Sequence, residues 1–135
     1  MTFLDSSVII DYLDGIEAVV EFVDERPVLV TSSICLYEVL AGEVFAGGDT
    51  DLVGARANFG RVAVLDFSEE EVFEAARMQT RLLESGDPLS PRDLMIAATA
   101  RSEGEELVVS DADFDVAGLQ ELLSVRRLGS MQDSS

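Results

Sequence analysis

The chain has no lysine, no histidine and no tryptophan, and its one cysteine is Cys35. All nine basic residues are arginines, set against 27 Asp and Glu in 135 residues, for a formal net charge of −18. Each absence removes a class of chemistry. Without His there is no Ser-His-Asp or Cys-His unit and no imidazole base titrating near neutrality. Without Lys there is no P-loop lysine and no Schiff base. A single Cys excludes an intrachain disulfide, and without His it excludes a structural zinc site. Acid–base and metal chemistry, if the chain performs any, falls mainly to carboxylates.

What is present suits one domain with one core. Apolar residues make up 47% of the sequence, too many for a disordered acidic chain. The longest charge-free stretch, Pro27 to Tyr37, is eleven residues, whereas a membrane helix needs roughly 20. The N-terminal MTFLDSSVII has no basic segment and does not read as a secretory signal. The expectation is a soluble cytoplasmic protein. The acids are spread along the whole chain and Lys is replaced outright by Arg, a pattern that fits a salt-rich cytoplasm, where the Debye length is about 3 Å at 1 M. Such a surface also opposes ordinary electrostatic binding of nucleic acid.

Helix and strand signals alternate. Strands are expected at Thr2–Leu4, Val28–Val30, Val62–Leu65, Leu107–Val109 and Val125–Leu128. Helices are expected through Val8 to Leu13, over Ile16–Asp24, over Ile34–Phe45 behind the Ser32-Ser33 cap region, and weakly over Asp51–Asn58. Ser68 and Glu71 read as a capping box opening a helix to about Glu84. Ser90-Pro91 opens another that closes at Gly104, and a short helix is expected near Leu119–Leu123. Residues 1–128 therefore read as a single α/β domain, a sandwich around a mainly parallel sheet, and 129–135 as a frayed tail. In such folds ligands sit beyond the carboxyl ends of the strands.

Four carboxylates have positions that a solvated surface does not explain. Asp5 directly follows the first strand; its alternative role is an N-cap. Glu38 sits in ICLYEVLAG among apolar and small neighbours, and a buried carboxylate without a partner costs several kcal/mol; an Arg or a backbone donor could satisfy it. Asp93 opens the apolar run LMIAATA, and could equally be the acid of a capping box with Ser90. Asp111 follows the strand LVV after one residue, with Asp113 and Asp115 behind it. That loop is not an EF-hand: its sixth and twelfth positions are Val116 and Leu122, where Gly and Glu are required. Gathered at one sheet edge, four acids would repel one another unless a cation neutralised them. Oxygen-only ligation selects Mg²⁺ or Mn²⁺, and such sites serve phosphoryl transfer. Physical reading alone reaches a metal-dependent phosphoryl-transfer enzyme.

The segments FLDSSVIIDYL, SSICLYEVLAG, SPRDLMIAATA and LVVSDADFD resemble, in order and spacing, the four acidic motifs of PIN-domain ribonucleases, and among these the VapC-type toxins of toxin–antitoxin pairs. The resemblance implies a three-layer α/β/α sandwich of about five strands. It also implies metal-dependent endonucleolytic cleavage of single-stranded or structured RNA by activated water. It implies that Asp5 and Asp93 are the leading metal ligands, with Glu38 and Asp111 completing the catalytic set. Ser7 matches the polar position after the first Asp, and Asp113 with Phe114 closes the last motif. Val109 departs from the pattern, standing where a Thr or Ser is common, although Ser110 is adjacent. A homodimer is implied, as is a cognate antitoxin that lays a segment, often carrying a basic residue, into the acidic pocket.

The remaining candidates have plainer readings. Cys35 reads as a small buried hydrophobe. Tyr12, Tyr37 and Phe45 read as core or dimer interface before base-stacking, and Arg92, Arg126 and Arg127 as surface ion pairs before phosphate contacts. Competing functions are an RNA-maturation nuclease of the same fold and a catalytically silent acidic interaction module. A phospho-acceptor receiver is excluded by the missing Lys. If the acids are suited to high salt, the melting temperature rises by several degrees between low and multi-molar KCl; a scan in which it stays flat or falls contradicts that reading.

Overall fold

Five short strands form one parallel sheet in the computed structural model, which describes residues 1–128. The elements run β1 (Thr2–Leu4), α1 (Ser6–Leu13), α2 (Glu17–Asp24), β2 (Leu29–Ser32), α3 (Ser33–Ala46), α4 (Leu52–Ala57), β3 (Val62–Leu65), α5 (Glu69–Glu84), α6 (Pro91–Ser102), β4 (Leu107–Val109), α7 (Ala117–Gln120) and β5 (Val125–Arg127). The expected tail, 129–135, lies outside the described residues.

Strand order is β3-β2-β1-β4-β5, and every pairing is parallel. The chain winds outward from β1 through β2 to β3, then returns to the other side of β1 for β4 and β5. The order therefore reverses between β1 and β4, and a crevice opens at the carboxyl ends of these two strands. That is where the first and fourth acidic segments emerge.

Period-2 alternation along the strands sorts side chains to two buried faces, as a doubly covered parallel sheet requires. Phe3, Val30, Leu107 and Val109 join a core with Ala75, Met78 and Leu82 of α5, the apolar run of α6, and Phe114 and Leu119. Their neighbours Leu4, Leu29 and Val108 face the other way, against Val8 and Ile9 of α1, Val19, Phe22 and Val23 of α2, and Phe59. The result is a three-layer α/β/α sandwich.

Helix α6 is buried from Ile96 to Ala100. Its alanines let α5 and the sheet approach closely, and Ile96 fills the space between. Ser90 caps its start by accepting from the Asp93 N–H at 3.4 Å. Its end is closed by Gly104 at φ +69°, with Gly104 N donating to Arg101 O and Glu105 N to Ala100 O, the two bonds of a Schellman motif.

Local expectations shift in three places. Strand β2 runs to Ser32 instead of ending at Val30, because Thr31 Oγ1 donates to the Leu4 carbonyl at 2.6 Å and Ser32 pairs in register with Leu65. Ser32 then caps α3 by accepting from Cys35 N. The short helix falls at Ala117–Gln120, earlier than Leu119–Leu123, since Gly118 N is held by Asp87 Oδ2. The Ser68–Glu71 capping box does not form: the Ser68 hydroxyl donates to the Glu71 carboxylate, a charge-assisted bond, and makes no cap bond to the backbone. Among the described residues no helix is long and apolar enough to cross a membrane.

Since Ile96 is wholly buried on the helix that presents Asp93, Ile96→Ala should cost about 2–5 kcal/mol in denaturant unfolding at fixed high salt. A cost below about 1 kcal/mol would mean that α6 is not a packed core helix.

Candidate active site

Asp5 is the residue between β1 and α1. Its backbone N–H donates to Val108 O at 2.9 Å, which pins it to β4 across the crevice. Its side chain is 0% exposed. One carboxylate oxygen, Oδ2, accepts from Ser7 Oγ at 2.6 Å and from Ser7 N at 3.2 Å, so Asp5 does cap α1. Capping and membership of an acidic site are thus compatible roles. Ser7 Oγ also accepts from the Ser110 N–H at 3.0 Å, tying the start of α1 to the end of β4.

The other oxygen, Oδ1, lies 3.5 Å from Arg92 Nη2. The Arg92 guanidinium is the hub of the crevice. Its Nε donates to Glu38 Oε2, its Nη2 to Glu38 Oε1 at 2.8 Å and to Ser6 Oγ at 3.1 Å, and its Nη1 to Asp93 Oδ1. Ser6 Oγ in turn donates to Glu38 Oε1 at 2.9 Å. Residues from three separate segments, the β1–α1 junction, α3 and the first turn of α6, therefore converge on one cation. Glu38 is held less deeply than its apolar neighbours imply, with its side chain 28% exposed.

Asp111 and Asp113 stand on the loop after β4. The Asp113 N–H donates to Asp111 Oδ1 at 3.1 Å, an Asx turn. The negative charge of Asp111 raises the pKa of Asp113, and Asp93 and Glu38 add to the effect. Asp5 is raised too, above all by burial and further by Asp111, against the lowering pull of Ser7 and Arg92. All five acids share one electrostatic neighbourhood, while only Asp5, Glu38 and Asp93 are bridged by Arg92.

Val109 faces the apolar core, so its side chain is spent on packing. The neighbouring Ser110 carries a buried hydroxyl with no hydrogen-bonding partner among the described residues. Cys35 is buried as expected, but against Asp5: its Sγ lies 3.8 Å from Oδ1, and burial together with that charge pushes the thiol up to about 11. Tyr12 is half-buried beside the α1–α2 core, whereas Tyr37 and Phe45 are 69% and 86% exposed and belong to no core. Arg126 pairs with Glu106 and stacks over Phe22, and Arg127 pairs with Asp115.

Sequence reasoning did not single out Ser6, and it read Arg92 as a surface ion pair. Arg92 does pair with acids, but inside the crevice, where it is the Arg left open as a partner for Glu38. Arg92 carried a usable signal. It occupies the first turn of α6, where the helix dipole opposes a positive charge, and a cation there needs neighbouring acids to hold it.

A parallel α/β/α sandwich with carboxylates converging at its switch point defines a class of open-sheet protein with an acid-lined crevice. The chain belongs to the PIN domain family, whose model matches residues 2–119. It is 28% identical over 97 residues to the tRNA(fMet)-specific endonuclease VapC of Salmonella typhimurium, covering 67% of this chain and 74% of that protein. Its fold matches that of VapBC-1 from nontypeable Haemophilus influenzae, with a TM-score of 0.77 at 22% identity over 95% of this chain and 98% of the other. It also matches VapC20 of Mycobacterium tuberculosis, a sarcin-ricin-loop-cleaving toxin, with a TM-score of 0.68 at 21% identity over 93% and 99% of the two chains.

Burial fixes the sign of the pH dependence at Asp5. Its folded pKa lies above the unfolded value, so between the two the folded state holds the extra proton and stability falls as pH rises. Asp5→Asn keeps a capping side chain and removes the buried charge. It should therefore melt at a higher temperature than the parent at neutral pH, with the gain vanishing below the ordinary carboxylate range. A variant less stable at neutral pH would show that the Arg92 and Ser7 contacts outweigh the burial cost.

Proposed function

We propose that the chain is a divalent-metal-dependent endoribonuclease, the toxin of a toxin–antitoxin pair, acting in the cytoplasm. The observation that carries this is the convergence of Asp5, Glu38 and Asp93 on a single cation at the switch point, with Asp111 and Asp113 alongside. Capping α1 accounts for Asp5 alone; a surface used only to display acids to a partner has no need to draw Glu38 and Asp93 onto the same cation beside it.

The donor set fits a hard divalent ion. All donors are carboxylate or hydroxyl oxygens, and three already bind a cationic group. Asp5 and Asp93 would be the leading ligands, with Glu38 and Asp111 completing the set or holding water, and Mg²⁺ or Mn²⁺ the matching ions. When bound, the ion supplies the Lewis acidity that activates water and neutralises charge on the phosphodiester. The chain's own residues do the rest. Ser7 fixes the Asp5 carboxylate through two bonds and locks it to β4. Ser6 fixes Glu38.

The relatives' names, a tRNA(fMet)-specific endonuclease and a sarcin-ricin-loop-cleaving toxin, support RNA as substrate. A groove of about 470 Å³ lies among α1, α2, α3 and α4, with Leu13, Val20 and Val39 in its wall and Asp14 and Glu43 beside them. A mixed lining, with apolar Leu13, Val20 and Val39 beside Asn58 and the acids Asp14 and Glu43, suits a basic amphipathic antitoxin segment. The exposed Tyr37, Val44 and Phe45 on α3 support a homodimer, since isolated acidic proteins gain nothing by showing large apolar side chains to water.

Asp5→Asn and Asp93→Asn should each reduce Mg²⁺- or Mn²⁺-dependent cleavage of RNA at multi-molar salt by at least about 10²-fold, and a chelator should abolish it in the parent. Unchanged cleavage in both variants would falsify the nuclease assignment. For the toxin role, the neighbouring reading frame decides: a small DNA-binding protein encoded immediately upstream is expected, and its absence turns the reading toward RNA maturation.

A further inference from the structure

We propose that Arg92 is a built-in counter-cation that competes with the divalent ion for the acidic crevice, so that the site loads metal only by displacing the guanidinium. The inference rests on reading the crevice as a metal site and concerns how that site is controlled.

Three observations carry it. First, the contacts are extensive. Arg92 engages both oxygens of Glu38, Oδ1 of Asp93, Oδ1 of Asp5 at 3.5 Å and the Ser6 hydroxyl. These include the two acids assigned as leading ligands. Second, the two cations make incompatible geometric demands. A guanidinium is a planar fork that spreads its acceptors around its edge, whereas Mg²⁺ gathers oxygens to about 2.0–2.1 Å in an octahedron. As the side chains stand, no group of three or more acids or thiols among the described residues is placed to hold a metal ion. Third, the guanidinium has somewhere to go. The Arg92 side chain is 32% exposed and begins in the first turn of α6, so it can swing outward without unfolding the helix. The dipole of α6 favours that departure, because its amino end repels a positive charge.

The arrangement gives Arg92 a definite task in the metal-free protein. It neutralises carboxylates that would otherwise drive the β1–α1 junction, α3 and α6 apart. The ion pairs are half-buried and are screened by salt less than surface pairs are, so the competition persists in concentrated salt.

The test is equilibrium binding of Mn²⁺ to chelator-treated full-length chain, read by electron paramagnetic resonance of the free ion, for the parent, Arg92→Gln and Arg92→Lys. Arg92→Gln should bind Mn²⁺ roughly tenfold or more tightly than the parent, since the displaced charge is gone. Arg92→Lys keeps the charge but not the fork and should fall between, and it carries the test if the Gln variant does not fold. Thermal melting gives an independent reading: Arg92→Gln should melt below the parent without metal, and the gap should close at saturating Mn²⁺. If the parent binds Mn²⁺ and neither variant binds it more tightly, the competition is refuted while the nuclease reading stands. If no form binds Mn²⁺, both fall together.

Discussion

The functional end of this sheet depends on keeping one carboxylate, Asp5, out of water in the company of other acids. A lone buried carboxylate is costly, and here Asp111 makes it more so. The fold offsets part of that cost with three arrangements that all sit at the switch point. Ser7 donates twice to one oxygen, Arg92 faces the other, and α1 begins at Asp5 so that its first-turn N–H groups and dipole favour negative charge. Each depends on the strand order. Only because β4 returns beside β1 does the Ser110 N–H reach Ser7, and only because α6 packs on the sheet face shared with Phe3 does its first turn arrive within reach of Asp5. The topology and the chemistry are one constraint seen at two scales.

How much of this was legible in the sequence follows from which interactions are local. Strand–helix alternation is a local property, and it led to a parallel sandwich of five strands in the order of elements observed. The placement of Asp5 and Asp111 at strand ends followed from the same reading, because a residue just past a strand must lie at the carboxyl edge. What was not legible depends on pairs distant in sequence. Arg92 meets Glu38 across 54 positions, and Ser6 meets Glu38 across 32. No periodicity announces such contacts, so Arg92 read as a surface ion pair although it ties three segments together. Local competition also escaped. Ser68 and Glu71 have capping-box spacing, yet the hydroxyl proton goes to the carboxylate, and the run Glu69–Glu71 steadies the helix start through the dipole instead.

Helix α3 shows a different limit. The apolar and small neighbours of Glu38 read as a largely buried face, but the structure buries only Cys35 and Val39 of this helix. One face reaches the sheet, Glu38 turns into the crevice, and Tyr37, Val44 and Phe45 are left in solvent.

The absence of lysine takes on structural meaning when four of the nine arginines are followed to their partners. Arg56 donates to the Phe59 and Val62 carbonyls, clasping the turn before β3. Arg61 reaches the Val23 and Arg26 carbonyls at the end of α2. Arg101 joins Leu122 O and Glu74, bridging α6 to α5 and to the loop before β5. Arg92 joins three acids and a serine. A lysine ammonium is a compact point charge on a flexible stem; it cannot hold two or three acceptors at the fixed separations a guanidinium spans. In a chain this acidic, the few cations are worth most as multi-point clamps inside the structure, and solubility is left to the acids, whose mutual repulsion keeps molecules apart. Arginine therefore does here what a lysine could not, and the crevice is the place where the difference matters most. A point charge could neutralise Glu38 or Asp93, but holding Glu38 by both oxygens while also meeting Asp93, Asp5 and Ser6 requires the fork.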